Sequence, residues 1–216
     1  AMLETYHDGT QEVVGTTLIH DFNWDRSAEL SSTYRTTIDT VNGYQMMTGT
    51  ELWYPAYYFK GLKLGYGVYD IDFICGSGEN IRLVFGAQTE YGNTLNNGVQ
   101  ATSYCILFSK SPGYVKLMYR DYPNPETPIR ESVYTFTEGT KYYARLIWIN
   151  GYISVYIGTS PTNMTHIFTT LQTQITTPGY FGAVFVNDKQ AKICRISAIA
   201  ASPDATNGIA ACIPPI

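Results

Sequence analysis

Two aspartates, Asp70 and Asp72, stand two residues apart in the run Tyr66 to Cys75 (YGVYDIDFIC). On an extended strand, residues i and i+2 point to the same side, about 7 Å apart along the chain. A carboxylate pair at that spacing suits two kinds of chemistry. One is glycoside hydrolysis, which needs one acid to protonate the leaving oxygen and a second carboxylate as nucleophile or base. The other is calcium ligation, which takes roughly six to eight oxygens; Glu90, Asn93 and Asp188 are the loop residues that could add to the pair. The plain structural reading is the wet face of a strand.

A second constellation is basic. Arg82, Lys116, Arg120 and Arg145 share one alternation phase if residues 79–88, 101–109, 114–122 and 141–149 are consecutive strands of one sheet. They then project opposite the clear core positions. Four of 14 basic residues on one face, flanked by Tyr114 and Tyr143, would form a platform. Tyr rings can stack on sugar faces, and Arg forks can bind hydroxyls or carboxylates. The polar loop 89–100 (TEYGNTLNNGVQ), with Tyr91, Asn93, Asn96 and Asn97, would rim such a groove. The expected ligand-binding residues are therefore Arg82, Tyr91, Tyr114, Lys116, Arg120, Tyr143 and Arg145, with no catalytic residue among them. The alternative is that these cations are solvated or paired with acids on adjacent strands.

Composition narrows the classes. Of the 216 residues, 44% are hydrophobic and 15% charged, and Tyr is unusually common at 19. The net charge of -4 offers no general attraction to phosphate backbones, so nucleic acid is disfavoured as a partner. No window of about 18 apolar residues spans a membrane. The first residues lack the charged start and apolar run of an export signal. The Tyr- and Thr-rich strands suit an extracellular setting, whether secreted or on a cell or virion surface. Cys75, Cys105, Cys194 and Cys212 allow three complete pairings, and buried thiols are an equal alternative. His7, His20 and His166 are scattered, and no Cys/His cluster suggests zinc. The sequence calls for no cofactor, a structural calcium being the one metal role open to it. Asn163-Met164-Thr165 matches an N-glycosylation acceptor.

The elements that would position these residues are strands. Residues 141–158 (KYYARLIWINGYISVYIG) read as a hairpin, because Asn150-Gly151 suits a two-residue turn with φ > 0 at both positions. Leu146 and Trp148 fall on its core face. Further strands are expected at Leu18 to Trp24, Tyr44 to Met47, Tyr66 to Cys75, Glu79 to Gln88, Ala101 to Ser109, Tyr114 to Tyr122, Thr165 to Leu171, Tyr180 to Asn187 and Ala191 to Ala200. Pro55 demotes Leu52 to Phe59 to an edge or bulged strand. Residues 25–43 read as a surface connection with one helical turn near Ser27 to Ser31. The three prolines of Pro123 to Glu131 read as irregular. The organisation expected is an extended lead-in over 1–17, one domain over 18–201, and a tail or strap over 202–216. About a dozen strands without a long helix predict an all-β, two-sheet antiparallel sandwich or jelly roll.

The order of Tyr66 to Phe73, Thr140 to Leu146, Ile149 to Ile157 and Phe181 to Val184 resembles the concanavalin A-like lectin/glucanase superfamily, in its laminin G-like branch. That resemblance implies two curved sheets, with sugars bound on the concave face. Hydrolases of the superfamily carry Glu-x-Asp-x-x-Glu on a central concave strand. The corresponding run here, Ser103 to Ser109 (SYCILFS), has no carboxylate. By the same resemblance, the strand holding Asp70 and Asp72 lies nearer the rim than the concave centre.

The expected function is a non-catalytic, lectin-like carbohydrate-binding module taking a glycan or polysaccharide on the concave face, an acidic glycan being the sharper form of that reading. The alternatives are a structural or adhesive domain of a viral, phage or cell-surface protein, with a surface protein as partner, and an atypical glycoside hydrolase or lyase.

Overall fold

The computed structural model describes residues 64–78, 81–89, 101–186 and 191–198. It also describes the backbone of residues 80, 199 and 200 and of five strands within 17–59. The strands are β1 (Thr17–Asp21), β2 (Leu30–Tyr34), β3 (Thr36–Val41), β4 (Tyr44–Gly49), β5 (Ala56–Phe59), β6 (Gly67–Ile74), β7 (Asn80–Ala87), β8 (Ser103–Ser109), β9 (Tyr114–Arg120), β10 (Thr127–Val133), β11 (Lys141–Ile149), β12 (Tyr152–Ser160), β13 (Asn163–Leu171), β14 (Tyr180–Val186) and β15 (Lys192–Ala200). A seven-stranded sheet runs β10-β9-β8-β7-β14-β5-β2. An eight-stranded sheet runs β13-β12-β11-β6-β15-β4-β3, with β1 also paired to β15. Strands distant in sequence lie side by side, as β11 does with β6 and β7 with β14. The chain therefore crosses repeatedly from one sheet to the other, the jelly-roll arrangement.

The hairpin between β11 and β12 forms as its sequence requires. Asn150 and Gly151 take φ of 52° and 81°, the left-handed pair that lets a two-residue turn follow strand twist. Burial alternates strictly along β11. Tyr142, Ala144, Leu146 and Trp148 enter the main core with Tyr69, Ile71 and Phe73 of β6 and Ile81, Leu83 and Phe85 of β7. β8 is buried at every position, the pattern of a strand covered on both faces. The second covering is visible on the outer face of the seven-stranded sheet. There Val84, Ala87, Ala101, Cys105, Leu107, Val184 and Val186 form a smaller core of their own.

Four expectations are corrected. Residues 141–149 belong to the eight-stranded sheet, so they do not continue β7, β8 and β9; alternation fixes the phase of a strand but not the sheet it joins. Residues 30–34 and 36–41 are strands, not a surface connection, because Thr, Tyr, Ile and Val favour pleated backbone even where apolar spacing is sparse; residues 27–29 of the expected helical turn lie outside the described residues. β5 begins just after Pro55 and lies between β14 and β2, so it is not an edge strand, although its pairing with β2 shifts register between Leu30 and Ser32. Thr127–Val133 is a strand despite Pro128. It ends its sheet, and its register shifts between Pro128 and Arg130, where a missing N–H donor is tolerated.

Cys75, Cys105 and Cys194 are buried thiols, not disulfides. Cys212, Trp24, Trp53, Tyr91, the rest of the 90–100 loop, the lead-in over 1–16 and the tail over 202–216 lie outside the described residues. No helix among the described residues is long and apolar enough to cross a membrane.

Candidate functional site

Across the outer face of the seven-stranded sheet, Val184, Arg82, Leu107, Lys116 and Glu131 stand in one register row, on β14, β7, β8, β9 and β10. Arg82 and Lys116 therefore share a face, as expected. Neither is an open cation. Arg82 Nη1 donates to both carboxylate oxygens of Glu126, at 2.9 and 3.0 Å. Lys116 Nζ lies 3.7 Å from Glu131 and 4.3 Å from the centroid of the Tyr114 ring. Arg120 Nε donates to the Asn124 carbonyl at 3.1 Å, and its guanidinium sits 5.0 Å from the Tyr122 ring centroid.

Glu126 reaches Arg82 from the loop 121–126, which joins β9 to β10 and folds over the sheet. The pair is mostly buried, with side chains 11% and 19% exposed, and burial of such charges demands this kind of partnering. Cys105, one strand away, carries a thiol that burial pushes above its ordinary pKa. The Glu126 charge adds to that shift, and Arg82 opposes it. A neutral buried thiol is not a nucleophile. The centre of the face is closed by the smaller core, so its accessible part lies toward β9 and β10, and on β9 it runs through half-buried Tyr114, Lys116, Met118 and Arg120 to exposed Asp121 and Tyr122.

Arg145 and Tyr143 are not part of this surface. They lie on the outer face of the other sheet, in register with Asp70 and Asp72 of β6. Arg145 Nε and Nη2 donate to the two oxygens of Asp70 at 2.8 and 3.0 Å. Burial works against the charge on Arg145, but bonding to Asp70 and attraction to Asp70 and Asp72 outweigh it and raise its pKa. Asp72 faces Tyr143 on one side and Arg195 on the other, and it is 7% exposed rather than on a wet face. β6 is also a middle strand of its sheet, not a rim strand. With Asp70 engaged at both oxygens and Asp72 buried, the pair has the geometry of a structural charge network.

β8, which offers Ser103, Cys105, Leu107 and Ser109 on its outer side, carries no carboxylate. Among the described residues no three His, Cys, Asp or Glu side chains are grouped to hold a metal. Glu90, Asn93 and Asp188 lie outside those residues. The residues that sequence reading missed are Asp121, Tyr122, Asn124 and Glu126. Their signal was an aromatic residue just before a proline, at the end of a strand carrying Lys116 and Arg120.

No protein-family model matches the sequence, and no curated protein matches it. Solved structures match it in three dimensions. The carbohydrate-binding module CBM66 from Bacillus subtilis superposes with a TM-score of 0.56 at 10% identity, covering 81% of this chain and 92% of that one. The VIP36 exoplasmic/lumenal domain, in its Ca2+/Man3GlcNAc-bound form, gives 0.64 at 12% identity, covering 80% and 84%. The Emp46p carbohydrate recognition domain, in a potassium-bound form, gives 0.62 at 13% identity, covering 82% and 90%. Likeness at such identities is one of fold, and together with the two antiparallel sheets between which the chain crosses it gives this chain the concanavalin A-like lectin fold.

Proposed function

We propose that this protein is a non-catalytic carbohydrate-binding domain that takes its glycan along β9 and the loop after it, on the side of the seven-stranded sheet. The observation that carries the reading is the accessible line of Tyr114, Lys116, Arg120, Asp121 and Tyr122 beside a sheet face whose centre is closed. Aromatic rings with a few placed polar groups are what sugar recognition requires. The fold supports the reading as analogy, because similar structures include a carbohydrate-binding module and a carbohydrate recognition domain. Absence of a carboxylate from β8 favours binding over hydrolysis.

The acidic form of the reading weakens, since Arg82 and Lys116 already face carboxylates and Arg145 lies on the other sheet. A neutral glycan is the better fit. The test is a titration of the full chain with mannan, β-glucan, galactan, polygalacturonate and heparin at low and high salt, with reducing ends assayed in parallel. Binding to a neutral polymer that resists salt, without release of reducing ends, is expected. No binding across the panel would end the carbohydrate reading. Salt-sensitive binding to the acidic polymers alone would restore the acidic one.

A further inference from the structure

The loop from Asp121 to Glu126 is tied at several points. The Tyr122 N–H donates to Thr102 Oγ1 at 3.1 Å, and the Asn124 N–H donates to the Asp121 carbonyl at 2.8 Å. Arg120 Nε holds the Asn124 carbonyl, and Glu126 closes the far end on Arg82. An exposed aromatic ring normally costs order without gaining burial, yet Tyr122 stands 45% exposed on this fastened loop. The Arg120 guanidinium lies over its ring, attracted by the negative face of the π-system. Asp121, immediately before it, is exposed.

We propose that Tyr122 and Asp121 form a sugar subsite for a neutral pyranoside, which deepens the carbohydrate reading above and rests on it. The apolar C–H face of a pyranose packs on the exposed part of the Tyr122 ring, while its hydroxyls donate to the Asp121 carboxylate, which accepts only. Arg120 backs the ring and fixes its tilt. With the loop already held before ligand arrives, little conformational entropy is lost on binding. An acidic sugar fits less well, because Asp121 would meet its carboxylate.

Tyr152 provides an internal comparison. It is 52% exposed, but it lies on β12 of the other sheet beside the equally exposed Leu171, its register partner.

The probes are methyl α-mannopyranoside, methyl β-glucopyranoside, methyl β-galactopyranoside and galacturonate, followed by calorimetry and ligand-observed NMR on wild type, Tyr122→Ala, Tyr122→Phe, Asp121→Asn and Tyr152→Ala. Tyr122→Ala and Asp121→Asn are each expected to weaken neutral-sugar binding about tenfold, from loss of stacking or of a charge-assisted bond. Tyr122→Phe and Tyr152→Ala should stay near wild type. Denaturation midpoints of all four variants should match wild type, which separates lost contacts from lost fold. If wild type binds a neutral sugar and Tyr122→Ala binds it equally well, the subsite is overturned while the broader reading stands. If wild type binds only galacturonate, the ligand class is wrong. If it binds no probe and no polymer, both readings fall.

Discussion

Arg145 and Asp70 face each other directly across β11 and β6, and the guanidinium meets both carboxylate oxygens, at 2.8 and 3.0 Å. Both side chains are largely removed from water, at 11% and 16% exposure. Removing one partner therefore strands a charge in a poorly solvated place, which costs more than breaking a surface pair. Asp70→Asn and Arg145→Ala should each destabilise the fold by about 2 kcal/mol, with the double variant less destabilised than the sum. Urea denaturation of the cycle checks this. Because the pair sits on the sheet opposite the proposed glycan surface, carbohydrate affinity should not change.

Arg82 and Glu126 make the corresponding pair on the other sheet, but this one fastens a loop. Glu126→Gln keeps size and loses charge, removing the carboxylate that faces Arg82 beside the smaller core, and about 2 kcal/mol of stability should go with it. Unlike Asp70→Asn, it should also weaken glycan binding, since the loop carrying Tyr122 loses its far anchor. An unchanged dissociation constant in Glu126→Gln would show that the loop is held without this pair.

The contrast between these two pairs shows what the sequence could and could not disclose. Alternation placed Arg82, Lys116, Arg120 and Arg145 on outer faces correctly, because the two-residue period of a strand is local. It could not tell that β11 crosses to the opposite sheet, since that depends on β11 pairing with β6, more than sixty residues earlier. Carboxylate partners were equally hidden: Glu126 approaches Arg82 from 44 residues away. The Asn150-Gly151 hairpin and the core positions of Leu146 and Trp148 were legible because one dipeptide and one run of alternation specify them. β10 was not, because Pro128 argues against a strand until its edge position is known.

Burial pushes up the pKa values of Tyr69, Tyr104, Cys105 and Cys194. Each is neutral when protonated, so the folded state keeps its proton at pH values where the unfolded chain loses it. Their contribution to stability is full below the unfolded thiol value of about 8.5, then falls as pH rises through the unfolded thiol and Tyr values. Stability should thus decline from pH 8.5 to 10.5, and Cys105→Ala should flatten the first part of that decline. The same burial predicts that Cys75, Cys105 and Cys194 resist a thiol reagent until denaturant is added.

Gly179 pairs with Leu64 through two backbone hydrogen bonds, of 2.8 and 3.0 Å. A Cβ there would come within 2.4 to 2.7 Å of backbone atoms of Gly86 and Ala87. Backbone cannot swing aside as a side chain can, so Gly179→Ala should cost about 2 kcal/mol or more. Gly139 differs, having a φ of 79° but nothing near its missing Cβ. Gly139→Ala should lose only about 1 kcal/mol, from backbone strain alone. Equal thermal midpoints for the two variants would contradict the close approach at Gly179.

Trp148 is fully buried and meets Tyr66, Phe85 and Tyr104 with ring centroids 5.3, 5.5 and 6.0 Å away, all near edge-to-face. Gly86, at a φ of 62°, lies against its rim: a Cβ there would stand 3.4 Å from the indole, in ordinary contact. Replacing Trp148 by Ala opens a cavity among rings that cannot collapse together and should cost about 3 to 5 kcal/mol. Trp148→Phe should cost clearly less, for two reasons. Much of the aromatic packing survives, and the indole Nε1, buried without a hydrogen-bond partner among the described residues, is removed with its desolvation penalty. Guanidinium denaturation of the three proteins decides the matter. A loss below about 1 kcal/mol in Trp148→Ala is incompatible with cavity formation at a fully buried ring, and would place Trp148 outside the core that joins the two sheets.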